Sequence, residues 1–419
     1  MERLMITGGN PLRGEIRVHG AKNSSLPLLA ACVLCRGETV LHNCPDLSDV
    51  TAACEILSYL GCQVRREGRS VLVNAENITR HSVPEPLMRE MRSSIVFLGA
   101  IAARTGFADL SFPGGCELGP RPIDLHLAGL RKLGLKVEEE GGNLLCRTEG
   151  RLAGTNIALS FPSVGATENI LLAAVTAKGR TVLTNAAREP EIIDLADFLN
   201  KCGAKIRGAG EGTIIVDGVA SLHGCEHRVI PDRIVAATFL SCAACTGGDI
   251  LVQEVEPVHL AGILPIFEEM GCSVSVEGKN VRLCAPVRLH AARDIRTMPY
   301  PGFPTDAQAP LMAVATLAEG TTMFVENIFE SRYKHASQLA RMGAKIKLEG
   351  RVAVVEGVPM LHGANVECTD LRGGAALVAA GLAAEGETIL REIHHIDRGY
   401  EQIEEVLTPL GANMKRIAE

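Results

Sequence analysis

Two phrases of apolar and polar residues alternate along the chain. The first reads Leu60-Gly61-Cys62-Gln63-Val64, Leu133-Gly134-Leu135-Lys136-Val137 and Cys202-Gly203-Ala204-Lys205-Ile206. It recurs as Met270-Gly271-Cys272-Ser273-Val274, Met342-Gly343-Ala344-Lys345-Ile346 and Leu410-Gly411-Ala412-Asn413-Met414. Each occurrence predicts a helix C-cap glycine followed at once by a strand. The second phrase precedes the first: an Ala/Leu-rich helical run, a glycine, then a β-prone run, as in Leu28 to Val40, Leu171 to Leu183, Leu311 to Val325 and Leu377 to Leu390. Its glycines are Gly37, Gly106, Gly179, Gly247, Gly320 and Gly386.

The cap glycines stand 73, 69, 68, 72 and 68 residues apart. With a strand pair ahead of each Ala/Leu-rich helix, every repeat reads strand, strand, helix, strand, helix, strand over about 70 residues. Six such repeats predict an α/β protein with internal symmetry. A chain of 419 residues exceeds one ordinary core, so the repeats divide into two domains of three. The breaks fall near Gly20-Ala21-Lys22 and Ile230-Pro231-Asp232, which gives 22–229 as one domain and 1–21 with 230–419 as the other. The sixth repeat stops after Met414, one strand short, and the N-terminal run Leu4 to Gly8 is placed to supply it.

Composition narrows the function. Hydrophobic residues make up 47% and charged residues 22%, as in a soluble protein with sizeable cores. A net charge of −7, 3% aromatic residues and no Trp give no general attraction for nucleic acid and few stacking platforms. No apolar run reaches membrane-span length and the N-terminus has no signal-peptide core, so a cytoplasmic protein is expected. Fourteen cysteines without a secretion signal suit a reducing compartment. The pairs Cys32/Cys35 and Cys242/Cys245 lie in Ala/Leu-rich helical runs and are read as apolar packing residues.

Candidate chemistry collects in a few places. Phe112-Pro113-Gly114-Gly115-Cys116-Glu117-Leu118-Gly119-Pro120-Arg121-Pro122 is too rich in Gly and Pro for a helix or central strand. From second-phrase glycine to cap glycine the repeats run 24, 28, 24, 24, 23 and 25 residues, and the longest interval holds this loop. An extension carrying a thiol, a carboxylate and an arginine is either a surface turn or a functional loop.

The Ala/Leu-rich helices begin at Lys22-Asn23-Ser24, Arg92-Ser93-Ser94, Ser163 to Thr167, Asp232-Arg233, Thr305-Asp306 and Asp370-Leu371-Arg372. Ser, Thr, Asp and Asn there are expected N-caps. Lys22, Arg92 and Arg372 oppose the helix macrodipole, so they either pair with neighbouring carboxylates or share, with Arg121 and Arg398, an anionic ligand in the cleft between the domains. Asp306, after the three-proline loop Met298 to Pro304, is either a cap or a general base whose pKa a closing cleft would raise. His394 and His395 point to opposite sides if extended, and no third ligand at metal spacing accompanies them, so no metal is expected. A phosphate-binding P-loop motif is absent.

These residues resemble the enolpyruvyl transferases, in particular the branch acting on UDP-N-acetylglucosamine. The likeness spans essentially the whole chain. It is most specific at Gly20-Ala21-Lys22-Asn23, the Pro113–Leu125 segment, Phe161 to Thr167, Phe303 to Asp306 and Ile396-Asp397-Arg398-Gly399-Tyr400. The resemblance implies an inside-out α/β barrel, two domains each of three βαβαββ repeats. It further implies transfer of the enolpyruvyl group of phosphoenolpyruvate to the 3′-hydroxyl of UDP-N-acetylglucosamine, with phosphate released through a tetrahedral ketal, as the first committed step of peptidoglycan synthesis. Cys116 would be the proton donor, able to form a phospholactoyl adduct, and Asp306 the base, with Lys22 and Arg398 also catalytic. Lys22, Asn23, Arg121, Arg372 and Arg398 would hold phosphoenolpyruvate. Asn23, Arg92, Arg121, Pro122, Ile123, Asp124, Leu125, Ser163, Val164, Gly165, Asp306 and Ile328 would hold the UDP-sugar. No cofactor, metal or nucleic-acid partner is implied.

Two places depart from relatives: Val235-Ala236 stands where many carry Glu-Thr, and Ser160-Phe161-Pro162 where others have a lysine nearby. The alternatives are the shikimate-pathway enolpyruvyl transferase, whose Asn-Ala-Gly-Thr-type motif is missing here, and a silent scaffold that binds UDP-sugar without turnover.

Overall fold

A computed structural model of the chain describes residues 2–112 and 123–418. These fall into two compact units, one built from 20–112 and 123–230 and the other from 2–19 and 231–418. Each unit has its own continuous apolar core. Among the described residues, no helix is long and apolar enough to cross a membrane.

Six four-stranded sheets share one topology. In the repeat around Thr305, Asp294–Arg296 runs parallel to Thr321–Val325, which pairs antiparallel with Val352–Glu356, itself antiparallel to Lys345–Glu349. The parallel step is made by a helix, as a crossover requires. Two sheets borrow their leading strand from far along the chain. Glu226–Arg228 pairs with Glu38–His42, and Arg13–Arg17 pairs with Asp249–Gln253. The sixth sheet takes Glu2–Thr7 between Glu387–Arg391 and Asn413–Ala418, the place the incomplete last repeat leaves open.

Both phrases have a conformational cause. All twelve of their glycines lie at φ between 64° and 110°, where a Cβ is disfavoured. At each cap the residue after the glycine donates its N–H back to a carbonyl five residues earlier: Cys62 to Leu57, Leu135 to Leu130, Ala204 to Leu199, Cys272 to Phe267, Ala344 to Leu339 and Ala412 to Leu407. This is the Schellman closure, whose outer residue packs on the helix's last turn. That packing explains the apolar residue that always follows the glycine.

The Ala/Leu-rich helices are apolar on every side because they are buried on every side. In the first unit they are Lys22–Cys32, Phe97–Thr105 and Val164–Ala174, the Phe97 helix packing on both others. In the second unit Arg233–Cys245, Thr305–Ala315 and Leu371–Ala383 pack pairwise. The backbones approach closely at Gly99, where a Cβ would come within 2.3 Å of the Asn169 carbonyl oxygen.

Cys32, Cys242 and Cys245 are buried in these helices, and burial pushes the Cys242 thiol up to about 12. Cys35 differs from the helical reading: it opens the short strand Cys35–Arg36, paired with Leu222–His223.

Candidate functional site

In the second unit the three central helices bring their N-terminal turns together around Asp306. Pro304 occupies the N-cap position, so Asp306 is not a cap. Its carboxylate instead accepts from two guanidiniums, Arg332 Nη2 to Oδ1 at 2.9 Å and Arg372 Nη2 to Oδ2 at 3.1 Å. The arginine side chains are 2% and 3% exposed and the aspartate 26%, so the carboxylate is the part a ligand can reach. Opposite charges at this distance favour the ionised carboxylate, the form a base needs. The local charges therefore act against the upward shift expected of a carboxylate in a closing cleft.

Each arginine is fixed from behind. Arg332 donates through Nε and Nη2 to the Thr305 carbonyl at 3.2 and 3.0 Å. Arg372 Nη1 donates to Tyr400 Oη at 3.1 Å, and Tyr400 Oη lies 2.8 Å from Thr238 Oγ1. Burial works against the Arg372 charge, yet Tyr400, Asp306 and Asp232 together raise its pKa above the usual arginine value. Asp370 caps the helix carrying Arg372, accepting from the N–H groups of Arg372 and Gly373 at 3.0 and 3.1 Å. Arg372 thus has a carboxylate partner, the first of the two outcomes its position allowed.

Ile328 sits half-buried in a turn organised by Glu326, whose carboxylate accepts the Ile328 and Phe329 N–H groups at 2.8 and 3.0 Å. The same carboxylate accepts the hydroxyls of Thr297 and Thr305, both at 3.0 Å, and so ties this turn to the start of the Asp306 helix. Arg398 follows the short helix His394–Asp397 and is half-buried. Asp397 is gripped in bidentate fashion by Arg416 at 2.8 and 3.1 Å, and Arg416 Nε also reaches Glu404 at 2.6 Å. His394 and His395 do not point apart: they share a helical turn, ring centroids 4.1 Å apart, because the segment is helical rather than extended. Among the described residues no group of three or more His, Cys, Asp or Glu could hold a metal ion. Val235 and Ala236 are wholly buried in the helix that Asp232 caps.

In the first unit Lys22 opens its helix and is nearly buried, with Nζ 3.1 Å from Asp49 Oδ2. Asn23 follows, half-buried. Ser24 donates to the buried Asp194, whose other oxygen lies 2.8 Å from His227 Nε2. His227 Nδ1 is 3.0 Å from Lys201 Nζ, so the pinned Lys22 turn rests on a buried polar chain. Ser163 caps its helix, accepting from Ala166 N at 3.3 Å. Val164 and Gly165 follow half-exposed. A Cβ on Gly165 would approach His126 to 3.0 Å. His126 Nδ1 lies 3.1 Å from Asn169 Nδ2, which also donates to the Ile95 carbonyl at 2.8 Å. Asn169 thereby ties the Ser163 turn to the neighbouring helices. Ile123, Asp124 and Leu125 begin the helix Asp124–Lys132. Arg92 is not on the first turn of an α-helix: it opens a 3-10 turn, Arg92–Val96, ahead of Phe97–Thr105.

Cys116, Arg121 and Pro122 lie outside the described residues. Sequence reasoning passed over Arg332 and Asp49. Neither sits in a recurring phrase, and their partners Asp306 and Lys22 are 26 and 27 positions away.

The family model described as EPSP synthase (3-phosphoshikimate 1-carboxyvinyltransferase) matches residues 6–407. The chain is 52% identical to UDP-N-acetylglucosamine 1-carboxyvinyltransferase 1 of Symbiobacterium thermophilum, over 99% of this chain and 95% of that protein. It is 50% identical to UDP-N-acetylglucosamine 1-carboxyvinyltransferase 2 of Caldanaerobacter subterraneus, over the full length of both. Among solved structures, the enolpyruvyl transferase NikO from Streptomyces tendae matches with a TM-score of 0.90 at 27% identity, over 99% and 98% of the two chains. EPSP synthase from Acinetobacter baumannii shares the fold, with a TM-score of 0.78 at 20% identity over the whole of both chains.

Proposed function

The chain belongs to the EPSP synthase family of enolpyruvyl transferases, and we infer that it transfers the enolpyruvyl group of phosphoenolpyruvate to the 3′-hydroxyl of UDP-N-acetylglucosamine, releasing phosphate. The observation that carries the acceptor is the end-to-end identity of about half to relatives named for that activity. The reaction is the first committed step of peptidoglycan synthesis.

Addition needs an acid for the methylene carbon of phosphoenolpyruvate and a base for the sugar hydroxyl. Cys116, on the extended loop, is the acid by its place in the motif; a thiol near its ordinary pKa of about 8.5 is protonated at neutrality. Its proton goes to the methylene carbon while O3′ bonds to the adjacent carbon and gives its own proton to Asp306. Elimination then returns a proton from the new methyl group to the Cys116 thiolate, restores the double bond and expels phosphate, which leaves with the proton held by Asp306.

Lys22, Asn23, Arg121, Arg372 and Arg398 hold the anionic groups of phosphoenolpyruvate. Arginine suits the task because its fork of donors matches carboxylate and phosphate. A substrate carboxylate arriving at Arg372 replaces Asp306 as its partner and releases the carboxylate oxygen that accepts the proton. Arg92, Arg121 to Leu125, Ser163 to Gly165 and Ile328 contact the UDP-sugar. Acid, base and cations are all side chains, so the reading needs no metal or cofactor.

The deciding experiment measures phosphate release from phosphoenolpyruvate with UDP-N-acetylglucosamine and, separately, with shikimate 3-phosphate. Turnover with the first alone is expected. Equal turnover with the second removes the acceptor assignment, and tight UDP-sugar binding without any turnover makes the chain a silent scaffold.

A further inference from the structure

The first unit carries a second cluster of cations, far from Lys22. A pocket of about 130 Å³ opens where its three central helices end, lined by Leu34, Ala102 and Thr176 together with Arg36, Arg104 and Arg151. Leu34 lies twelve residues along the chain from Lys22, about 18 Å at 1.5 Å per helical residue. The pocket is therefore at the opposite end of the helices from Lys22, Asn23 and Ser163.

Arginines also serve to satisfy backbone carbonyls at helix and strand ends, and part of what is seen fits that role. Arg104 Nη2 donates to the carbonyls of Ala75 and Glu76 at 3.2 and 3.1 Å. Arg151 donates through Nε to Thr176 at 3.0 Å and through Nη2 to Ala177 and Val219 at 3.3 and 2.6 Å. A guanidinium has five N–H donors. Nε and Nη1 of Arg104 and Nη1 of Arg151 have no protein acceptor among the described residues. Among the described residues Arg36 meets only Glu76, at 3.6 Å in an exposed pair. Carbonyl capping accounts for one edge of two arginines and leaves the rest.

The fold supplies its own control. Lys178, Glu319 and Glu385 each precede a second-phrase glycine and form the same parallel bridge, to Ala153, His290 and His362. Two positions before those partners stand Arg151, Arg288 and Met360. In the second unit the arginine has a carboxylate at that bridge, Arg288 Nε lying 3.5 Å from Glu319 Oε2 in an exposed pair. In the first unit the residue at the Glu319 place is Lys178, so that position offers Arg151 no carboxylate. Burial and the nearby Arg36 lower the Arg104 pKa, and the Glu76 carboxylate works the other way.

We propose that this pocket is an anion site for a small tetrahedral oxyanion, inorganic phosphate being its simplest occupant. Its volume has room for such an ion with part of its hydration. Three guanidiniums give the charge-assisted donors such an ion requires. The bound ion ties together the ends of the three helices.

The test is equilibrium dialysis and titration calorimetry with sodium phosphate at constant ionic strength, using sodium chloride as the reference. Arg36→Gln weakens phosphate binding at this site at least tenfold and Arg36→Glu removes one bound phosphate per chain, while Arg288→Gln changes neither. Turnover stays within twofold of wild type, which separates this site from the phosphate-binding residues of the reaction. Arg36 is solvent-facing, so its replacement leaves the fold intact, as circular dichroism verifies. A wild-type isotherm in Arg36→Glu overturns the proposal, as does an equal loss in Arg288→Gln.

Discussion

Replacing Asp306 by asparagine keeps the shape of its helical turn and removes the charge that Arg332 and Arg372 share. As a base variant it loses turnover by about a hundredfold or more, with sugar affinity nearly unchanged. Steady-state kinetics with a separate binding measurement checks this; lost affinity at full kcat contradicts the role. Cys116→Ala likewise loses turnover near pH 7, whereas Cys116→Asp retains much of it by offering another acid. Glu168 is buried, and burial with the neighbouring Glu191 and Glu189 holds its pKa well above the usual 4.5. A carboxyl raised in the folded state stabilises it fully below the unfolded pKa, and that contribution is lost as pH rises from about 4.5 toward the folded value. Glu168→Gln therefore gains stability relative to wild type as pH rises above 4.5, a trend that urea midpoints at pH 5 and pH 8 reveal. Lys22, Ser163 and Asp306 were legible because each is a polar interruption at the head of an apolar run. Asp49 and Arg332 were not, since only the fold brings them to their partners.

At the scale of single elements, the twelve glycines made the architecture readable before any contact was known. Their shared cause is left-handed backbone, but their surroundings differ, and this separates strain from sterics. A Cβ at Gly61 would meet Thr79 Oγ1 at 2.5 Å and the Thr79 nitrogen at 3.0 Å, while one at Gly134 meets nothing within 4 Å. Gly134→Ala costs about 1 kcal/mol from backbone strain alone, and Gly61→Ala exceeds it by a further 1 kcal/mol or more. Equal shifts in denaturation midpoint would show that Thr79 moves freely. The turn bearing Arg398 depends on a different device, the grip of Arg416 on Asp397 and Glu404. Arg416→Ala is expected to weaken phosphoenolpyruvate binding several-fold through a misplaced Arg398, with sugar binding unaffected. No pattern in the sequence announced this grip, nor that His394 and His395 share a helical turn, because a four-residue helix is too short to show a period.

For the whole molecule, the borrowed strands decide what can stand alone. Residues 20–230 contain every strand of their three sheets, including Glu226–Arg228. As a separate fragment they should unfold cooperatively in urea. Residues 231–419 alone lack both Glu2–Thr7 and Arg13–Arg17 and should not, unless a peptide of 1–19 is added. The six-fold repeat made the missing strand of the last sheet predictable from counting. The exchange of leading strands between the first and fourth repeats showed only as the two domain breaks near Gly20 and Ile230, since Glu226–Arg228 is too short to declare its partner. That exchange also sets a timetable. On the ribosome, Glu2–Thr7 emerges first, yet both strands that flank it, Glu387–Arg391 and Asn413–Ala418, emerge last. Glu2–Thr7 must therefore wait, its edges unpaired, until those two strands are made, while residues 20–230 fold ahead of it. A nascent chain cut short before Asn413–Ala418 therefore has one finished half and one that never closes, an early mark for the cell's quality control.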